Sequence, residues 1–488
     1  MKTIKFTLLF IFIASIANAQ VPAIEWEKCF GGTSYEFGSH IIQTSDGGYI
    51  AAGKTVSTDY DAVDNHGGYD VFIVKLSANS TTEWIKCLGG SYDESAHCII
   101  ETSDHGFIVA GSTLSNDGDV SGNHGASDGW VVKLDSFGEI EWQKCYGDTC
   151  NDVLHTVIPT DDGGYMCFGN IELSDQHFVN PQIKRKGWAL KIDSLGNVES
   201  SQTYGGTSRT SFNAVTPTRD GGYLITGHKT PDGSDDANVW FLKINEMGTV
   251  EWEMGYGNVD DRFYDVTQLA EGSFIAVGES VYHGEMTVVM YTGVVLKISE
   301  SGAFRWRQEG IHPMGQYYSV AVVSNNHFVI GGHCPNTMDE DIVLIKMTYS
   351  GNVVWQKYYG GVNAEYFSSF QQTADHGFIL MSRTLSAWTG YHGGSDMWIA
   401  KLAPETGIVE LEPTLQFQVY PNPMQNILNI QIDPALLDTP YKIYSITGQL
   451  VHSGNLTAET MQLNIESFTE GIYLLQVGSQ TRKIVKIK

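Results

Sequence analysis

A lysine that closes a short apolar run recurs seven times along this chain, at Lys75, Lys133, Lys191, Lys243, Lys297, Lys346 and Lys401. Two further anchors keep the same register. Trp26, Trp84 and Trp142 stand 58 residues apart and open WEKCFGG, WIKCLGG and WQKCYGD, a pattern continued at Ser200, Trp252, Trp306 and Trp355. A hairpin signal followed by an aromatic leads to a glycine four residues on, as in DGGYIAAG to Gly53, and again to Gly111, Gly169, Gly227, Gly278 and Gly332, with Ser382 in the seventh period. Each period holds about four short runs rich in Val, Ile, Phe, Tyr and Trp, separated by Gly, Asp and Asn turns, and none is long enough for a substantial helix. Four strands in ~50 residues make one propeller blade. A ring of seven would bury every blade face on a neighbour, whereas an open stack would leave two sheet edges bare. Residues 25–31 precede the first complete set of strands, so they are expected to supply the outermost strand of the last blade. The segment GIVELEP after Lys401 carries Glu410 where tryptophan would sit and reads as an exit linker. The expected fold over 20–410 is therefore all-β, a seven-bladed β-propeller.

These repeats resemble the bacterial β-propeller families in which GG, DGGY, a strand glycine and D-x-W-V-x-K recur in every blade. The resemblance covers about residues 21–410 and implies a fold, not an activity, because propellers host binding, scaffolding and catalysis alike. The TSDGGY hairpins are also similar to the Asp-box turns of sialidase propellers, which are structural.

The N-terminal MKTIKFTLLFIFIASIANAQ sets Lys2 and Lys5 before an apolar run and then Ala17 and Ala19. This is the pattern of a secretory signal peptide over 1–19, cut before Gln20. No segment reaches the ~20 apolar residues of a membrane helix, so no transmembrane segment is expected. The seven cysteines are too scattered for a disulfide framework. Cys29, Cys87 and Cys145 share one repeat position and read as packed hydrophobes; Cys145 and Cys150 flank a turn across which they could pair.

From about Pro413 the repeats stop. Alternating runs such as NILNIQI, YKIYS, YLLQV and KIVKIK, punctuated by Pro421, Pro423, Gly448 and Gly478, indicate a small immunoglobulin-like β-sandwich of about seven strands over 411–488. VYPNPMQNILNIQI, YSITGQLVHSG, FTEGIYLLQV and the terminal RKIVKIK closely resemble the type A C-terminal sorting domain of type IX secretion cargo. The resemblance implies passage through the periplasm and recognition of 411–488 by the type IX secretion machinery. Release or anchoring at the outer-membrane surface would follow. Pro421, Asn422, Pro423, Gly448, Gly471, Tyr473, Lys483 and Lys486 are the residues that carry the sorting motif.

Charge narrows the function. The chain has 29 Lys plus Arg against 56 Asp plus Glu, a net −27. The tail after 413 is neutral; with the two signal lysines set aside, 22 bases face 51 acids on the repeats, −29 in all. A long polyanion such as nucleic acid is repelled by such a surface.

Acidic residues follow the GG turn in most periods: Glu36, Asp93, Asp152, Asp261 and Glu365. As two unequal carboxylates at a channel mouth they could hydrolyse a glycosidic bond, with Asp93, Asp152 and Asp261 as catalytic candidates. A residue repeated around a ring more often caps a turn or ties adjacent blades, since one active site needs an asymmetric constellation. His66, His124 and His392 each stand four residues before an aspartate. Equivalent positions on adjacent blades should be ~10 Å or more apart, too far for zinc to bridge at about 2 Å per nitrogen, so loop-closing hydrogen bonds are expected. Asp117, Asp119 and Asn123 offer oxygens at alternate positions, as calcium prefers, although the spacing departs from the EF-hand; Asp59, Asp61 and Asp64 partly repeat it. Ligand specificity is expected from unrepeated loop residues: Phe178, Lys184 and Arg185, then Tyr282, His283 and Tyr291, then Trp388 and Tyr391. Of these, Tyr282, Tyr291, Trp388 and Tyr391 are the aromatic candidates for stacking on a sugar or anchoring a protein. No nucleophile motif, phosphate loop or dinucleotide fingerprint occurs. The sequence thus describes a secreted or surface propeller that binds a glycan or protein ligand, with a glycan-active hydrolase as the alternative.

Overall fold

The computed structural model describes residues 21–488 except 175–182, 231–237, 257–260, 284–288, 313, 325, 336–339, 389, 406–416, 433–439, 447–448, 459, 478–479 and 488. The exit segment GIVELEP and Gly448 lie outside the described residues. The chain divides into one compact unit ending at Thr406 and a second beginning at Gly407.

The first unit consists of seven four-stranded antiparallel sheets. Sheet 1 runs in chain order through Glu36–Gln43, Tyr49–Thr55, Asp70–Leu76 and Thr82–Leu88, and sheets 2 to 6 repeat that order through Tyr359. Sheet 7 takes three strands from Glu365–Gln372, Phe378–Thr384 and Asp396–Leu402, and its fourth is Ile24–Phe30 from the opposite end of the chain, paired antiparallel with Asp396–Leu402. First strands of successive sheets pack on one another. Between sheets 1 and 7, Glu36 N–H donates to Ser395 O at 2.7 Å and Gln43 N–H to Gln371 Oε1 at 2.6 Å. The arrangement is propeller-like.

The repeated residues are the frame. In sheet 1 the hairpin aspartate Asp46 accepts from Thr44 Oγ1, from Gly48 N–H and from Lys75 Nζ at 2.9 Å. Lys75 is buried with only its ammonium reaching that carboxylate and Glu83 at 3.2 Å. Lys133, Lys191, Lys243 and Lys401 repeat the contact with Asp104, Asp162, Asp220 and Asp375. In sheets 5 and 6, whose hairpins lack the aspartate, Lys297 takes Glu271 and Lys346 reaches Glu405. The tryptophans tie sheet to sheet: Trp84 Nε1–H donates to Ser136 O at 3.2 Å in the next sheet's outer turn, and Gly138 there lies against its ring. The core sits between sheets, with Ile50, Val71 and Ile73 of sheet 1 against Ile99, Val109 and Trp130 of sheet 2. Each such side chain contributes about 1.5–3 kcal/mol on leaving water.

All seven cysteines are free thiols. The pairing considered for Cys145 and Cys150 does not form: Cys145 is packed in its strand, where burial pushes its thiol up to about 12, and Cys150 N–H is held by Asp148 Oδ1.

The second unit has seven described strands in two antiparallel sheets. One contains Phe417–Tyr420, Ile427–Ile432 and Thr460–Asn464; the other contains Pro440–Ser445, Leu450–Asn455, Gly471–Val477 and Gln480–Lys486. Leu428, Ile430 and Leu463 from the first share a core with Ile443, Leu475 and Ile484 from the second. Asn422, between Pro421 and Pro423, is bonded to the final strand twice, donating to Lys483 O and accepting from Val485 N–H, each at 2.9 Å. Tyr473 O–H donates to Thr469 O at 2.8 Å, beyond Gly471 at the start of the strand. Lys486 is buried beside that junction while Lys483 faces outward.

Candidate functional site

The strand glycine creates the site by its position. A Cβ at Gly53 would fall on the carbonyl oxygen of Phe37, and one at Gly111, Gly169, Gly227, Gly278 or Gly332 would meet the equivalent oxygen. The first strand bulges at this place in every sheet, opposite the glycine or, in sheet 7, opposite Ser382, as between Gly38 and His40. A bulge re-aims the side chain it leaves unpaired. The unpaired residues are Ser39, His97, His155, Asn213, Tyr264, Tyr318 and Ser368. Beside them lies the residue after each strand glycine, or after Ser382 in sheet 7: Lys54, Ser112, Asn170, His228, Glu279, His333 and Arg383. These two columns differ from sheet to sheet while the frame repeats.

In sheets 5, 6, 7 and 1 they join into a continuous band. Tyr264 stacks on Tyr318 with ring centres 4.9 Å apart, Tyr318 on His333 at 5.0 Å, and His333 meets Tyr366 edge-on at 5.6 Å. The Arg383 guanidinium stands over both Tyr366, at 5.1 Å, and Phe37, at 4.8 Å. Lys54 Nζ lies 5.5 Å from the Phe37 ring centre and 4.7 Å from that of Tyr69. Past Lys54 the surface opens into a cavity of about 370 Å³ shared by sheets 1, 2 and 3, lined by Lys54, Asp93, Ser112, Asn151, Asp152, Asn170 and Arg185. His97 and His155 meet edge-on at 5.3 Å. Burial, reinforced by His155 and Lys54, lowers His97 to about 3, and burial with Arg185 nearby lowers His155 to about 4. Both imidazoles are neutral at pH 7. His155 Nε2 is 2.9 Å from Asn170 Nδ2.

Of the three acidic candidates the structure brings two together. Asp93 and Asp152 line this cavity; Asp261 does not, being bonded to Arg307 through both its oxygens, with Nη2 to Oδ1 at 3.0 Å. Asp93 is exposed and accepts from Tyr69 N–H at 3.0 Å. The residue in register with Glu36 and Asp152 is its neighbour Glu94, which is buried and accepts from Gly90 N–H at 2.8 Å and from Thr113 Oγ1 at 2.6 Å. Glu36 and Glu365 make the same bonds to Gly32 and Thr55 and to Gly361 and Thr384. Asp152 accepts from Asp148 N–H at 2.7 Å and Glu172 N–H at 2.8 Å. Burial outweighs those bonds and raises it to about 6, with Asp148 and Asp128 adding to the rise.

The oxygens of Asp117, Asp119 and Asn123 do not converge. Asp117 accepts from Ser91 N–H, Asp119 from Gly89 N–H and Asn123 from Gly125 N–H, at 2.8, 3.2 and 2.9 Å. His66 and His124 hydrogen-bond Asp70 and Asp128 through Nδ1 at 2.7 and 2.6 Å, and His392 donates its backbone N–H to Asp396 at 3.0 Å. Among the described residues no group of three or more His, Cys, Asp or Glu is placed to hold a metal. Trp388 stacks on Trp398 at 5.5 Å and Tyr391 donates to Gly394 O at 3.0 Å; both pack on the sheet 7 core, which removes them as free stacking platforms. Tyr291 is exposed. Arg185 pairs with Glu172 at 3.0 Å. Phe178 and the side chains of Lys184, Tyr282 and His283 lie outside the described residues. Sequence reasoning passed over Lys54, Arg383, Tyr264, Tyr318 and the neutral histidines, although the columns flanking the strand glycine vary where all around them repeats.

Residues 418–487 match the family model described as "Secretion system C-terminal sorting domain". The protein is secreted through the type IX system to the cell surface or the extracellular space. The chain is 21% identical over 374 residues to "Beta-agarase D" of Zobellia galactanivorans, with 74% of this chain and 65% of that protein's length covered. It therefore spans just under two thirds of that relative. Among solved structures it is similar to a polysaccharide lyase, "PL25-Ulvanlyase", at TM-score 0.50 and 10% identity, over 81% of this chain and 98% of the lyase, in forms with and without a bound saccharide. At that identity the likeness is one of fold.

Proposed function

We propose that the seven sheets form a closed β-propeller, exported by an N-terminal signal peptide and by an immunoglobulin-like sorting tail, and that it is a glycan-active enzyme. The observation that carries this reading is the match to a β-agarase over a stretch too long to be confined to the tail. The site supports it chemically. The cavity sets an acid raised to about 6, Asp152, beside an exposed carboxylate, Asp93, and next to an aromatic band of the kind that stacks on sugar faces. A carboxyl raised toward neutrality can give a proton to a leaving oxygen, and an ionised neighbour can take one from water. Asp152 and Asp93 hold these roles in the proposal.

The test incubates the secreted protein with neutral and acidic polysaccharides and follows retention and product size together. Shortened products, lost in Asp152→Asn and Asp93→Asn with retention kept, are expected. Retention without shortening would leave a binding protein, the second reading, which the two backbone N–H bonds capping Asp152 favour. Export is tested separately: removing 413–488 should leave the protein in the periplasm, and unchanged secretion would refute the role of the tail.

A further inference from the structure

The repeats carry −29, and several of their arginines are neutralised by carboxylates. Arg185 has Glu172, Arg262 has Glu279 at 3.5 Å, and Arg307 has Asp261 and Glu309. Lys54 and Arg383 are placed differently. Neither has a carboxylate partner among the described residues, and the Arg383 Nε is buried without a hydrogen bond. Each is held by aromatic rings instead, and the single ring of Phe37 contacts both. A cation over a ring keeps its charge and its N–H groups for something else. Lys54 lines the cavity, and Arg383 heads the aromatic band that leads into it.

We infer that Lys54 and Arg383 form a recognition pair for an anionic substituent, a carboxylate or a sulfate, on the glycan taken at this site. The inference rests on the glycan reading and narrows it to acidic polysaccharides. The acidic surface elsewhere, with Asp93 and Asp152 of the cavity itself, weakens such binding but does not prevent it at moderate salt. At 0.15 M the Debye length is about 8 Å, so distant carboxylates are screened while a cation in contact with its anion is not. A guanidinium accepts either anion in a bidentate fork, and an ammonium adds a point charge.

The experiment measures retention of the full secreted protein on three polymers at 0.15 M and 0.5 M salt: polygalacturonate for carboxylate, carrageenan for sulfate and agarose as the neutral case. Binding to one or both acidic polymers should exceed that to agarose. It should fall about tenfold or more in Lys54→Gln and Arg383→Gln, with partial recovery in Arg383→Lys. The acidic polymer that is held identifies the anion. Equal retention on agarose, or retention that neither variant alters, overturns the inference and leaves the glycan reading intact. No retention on any polymer overturns both. If a variant fails to fold, the wild type decides: acidic-polymer binding that does not weaken at 0.5 M salt overturns the anionic pair.

Discussion

Four junctions between sheets differ in kind from the other three. Where sheets 1 and 2 meet, Asp70 and Glu94 converge on Gly89, whose Cβ would stand 2.7 Å from Asp70 Oδ1 and 2.5 Å from Glu94 Oε2. Asp128 faces Asp152 across Gly147 in the same way, Asp341 faces Glu365 across Gly360, and Asp396 acts on Glu36. These junctions are consecutive, from sheet 6 round to sheet 3. At the other three the aspartate position holds Lys186, Asn238 and Thr292. Lys186 donates to Gly206 O at 2.6 Å, and the one acid in this arc, Asp261, is answered by Arg307. The same backbone turn thus accepts two opposite electrostatic solutions. In three of these junctions one oxygen of Asp70, Asp128 or Asp396 serves a histidine loop, while the Oδ1 of each has no partner. Two buried carboxylates this close cannot both ionise cheaply.

The largest expected effect breaks the symmetry of the comparison. Arg307→Ala removes the bidentate guanidinium from a fully buried Asp261 and should cost about 3–5 kcal/mol in urea unfolding at pH 7.5. Asp70→Asn, in the acidic arc, should instead stabilise by about 1 kcal/mol or more at the same pH, because it removes a charge that burial disfavours. A loss from both would show that the two arcs are equivalent after all.

The second prediction concerns pH. Burial raises Asp70 to about 6, against its bonds to His66, and raises Asp396 to about 7; Asp152 stands at about 6 and Glu36 is also raised. Folded values above the unfolded ones mean stability that is complete below the unfolded range, near pH 4, and lost as pH rises through 6 to 7. The hairpin aspartates Asp46, Asp104, Asp220 and Asp375 are held down at about 2, where their Thr, Lys and glycine N–H bonds outweigh a burial that alone would raise them. Their contribution is present above pH 4 and lost as pH falls toward 2. The buried imidazoles His97 and His155, lowered to about 3 and 4, act in the opposite sense and lose stability as pH falls below about 6.5. The acidic arc is therefore read from the difference between the wild type and the double change Asp70→Asn with Asp396→Asn: relative to that variant the wild type should gain melting temperature on acidification from pH 8 to 5, and below pH 4 the two should fall together. A difference that stays constant from pH 8 to 5 would remove the acidic arc as an energetic feature.

The frame was legible in the sequence because each repeated residue does a local job: Lys75 needs Asp46, Trp84 needs the next turn, and Gly53 leaves room for the carbonyl of Phe37. Self-comparison of one chain shows such needs directly. The site was less legible for the same reason. Lys54, Arg383 and Tyr318 occupy columns that do not repeat, and nothing local announces that the bulges carry them to one place. Asp93 shows the cost of reading position by composition alone, since the carboxylate in register was one residue further on. The acidic arc was half visible: Glu36 and Asp152 stood out, but their partners Asp396 and Asp128 read as ordinary strand openings until the sheets were set side by side.

The smallest expected effect lies in the acidic arc itself, where calcium would be sought first. The loops of sheets 1 and 2 use their acids identically: Asp59 and Asp61 take the N–H groups of Thr33 and Gly31 as Asp117 and Asp119 take those of Ser91 and Gly89. Oxygens committed to amides in different directions do not form the six to eight ligand shell that calcium requires. Calcium at 100 times its dissociation constant would add about 2.7 kcal/mol, a shift of several degrees for a domain of ordinary size. We expect less than about 1 °C between millimolar calcium and chelator. A shift of several degrees that Asp117→Asn abolishes would mean that the loops rearrange around an ion, and would move the acidic arc from a proton-balanced feature to a cation-balanced one.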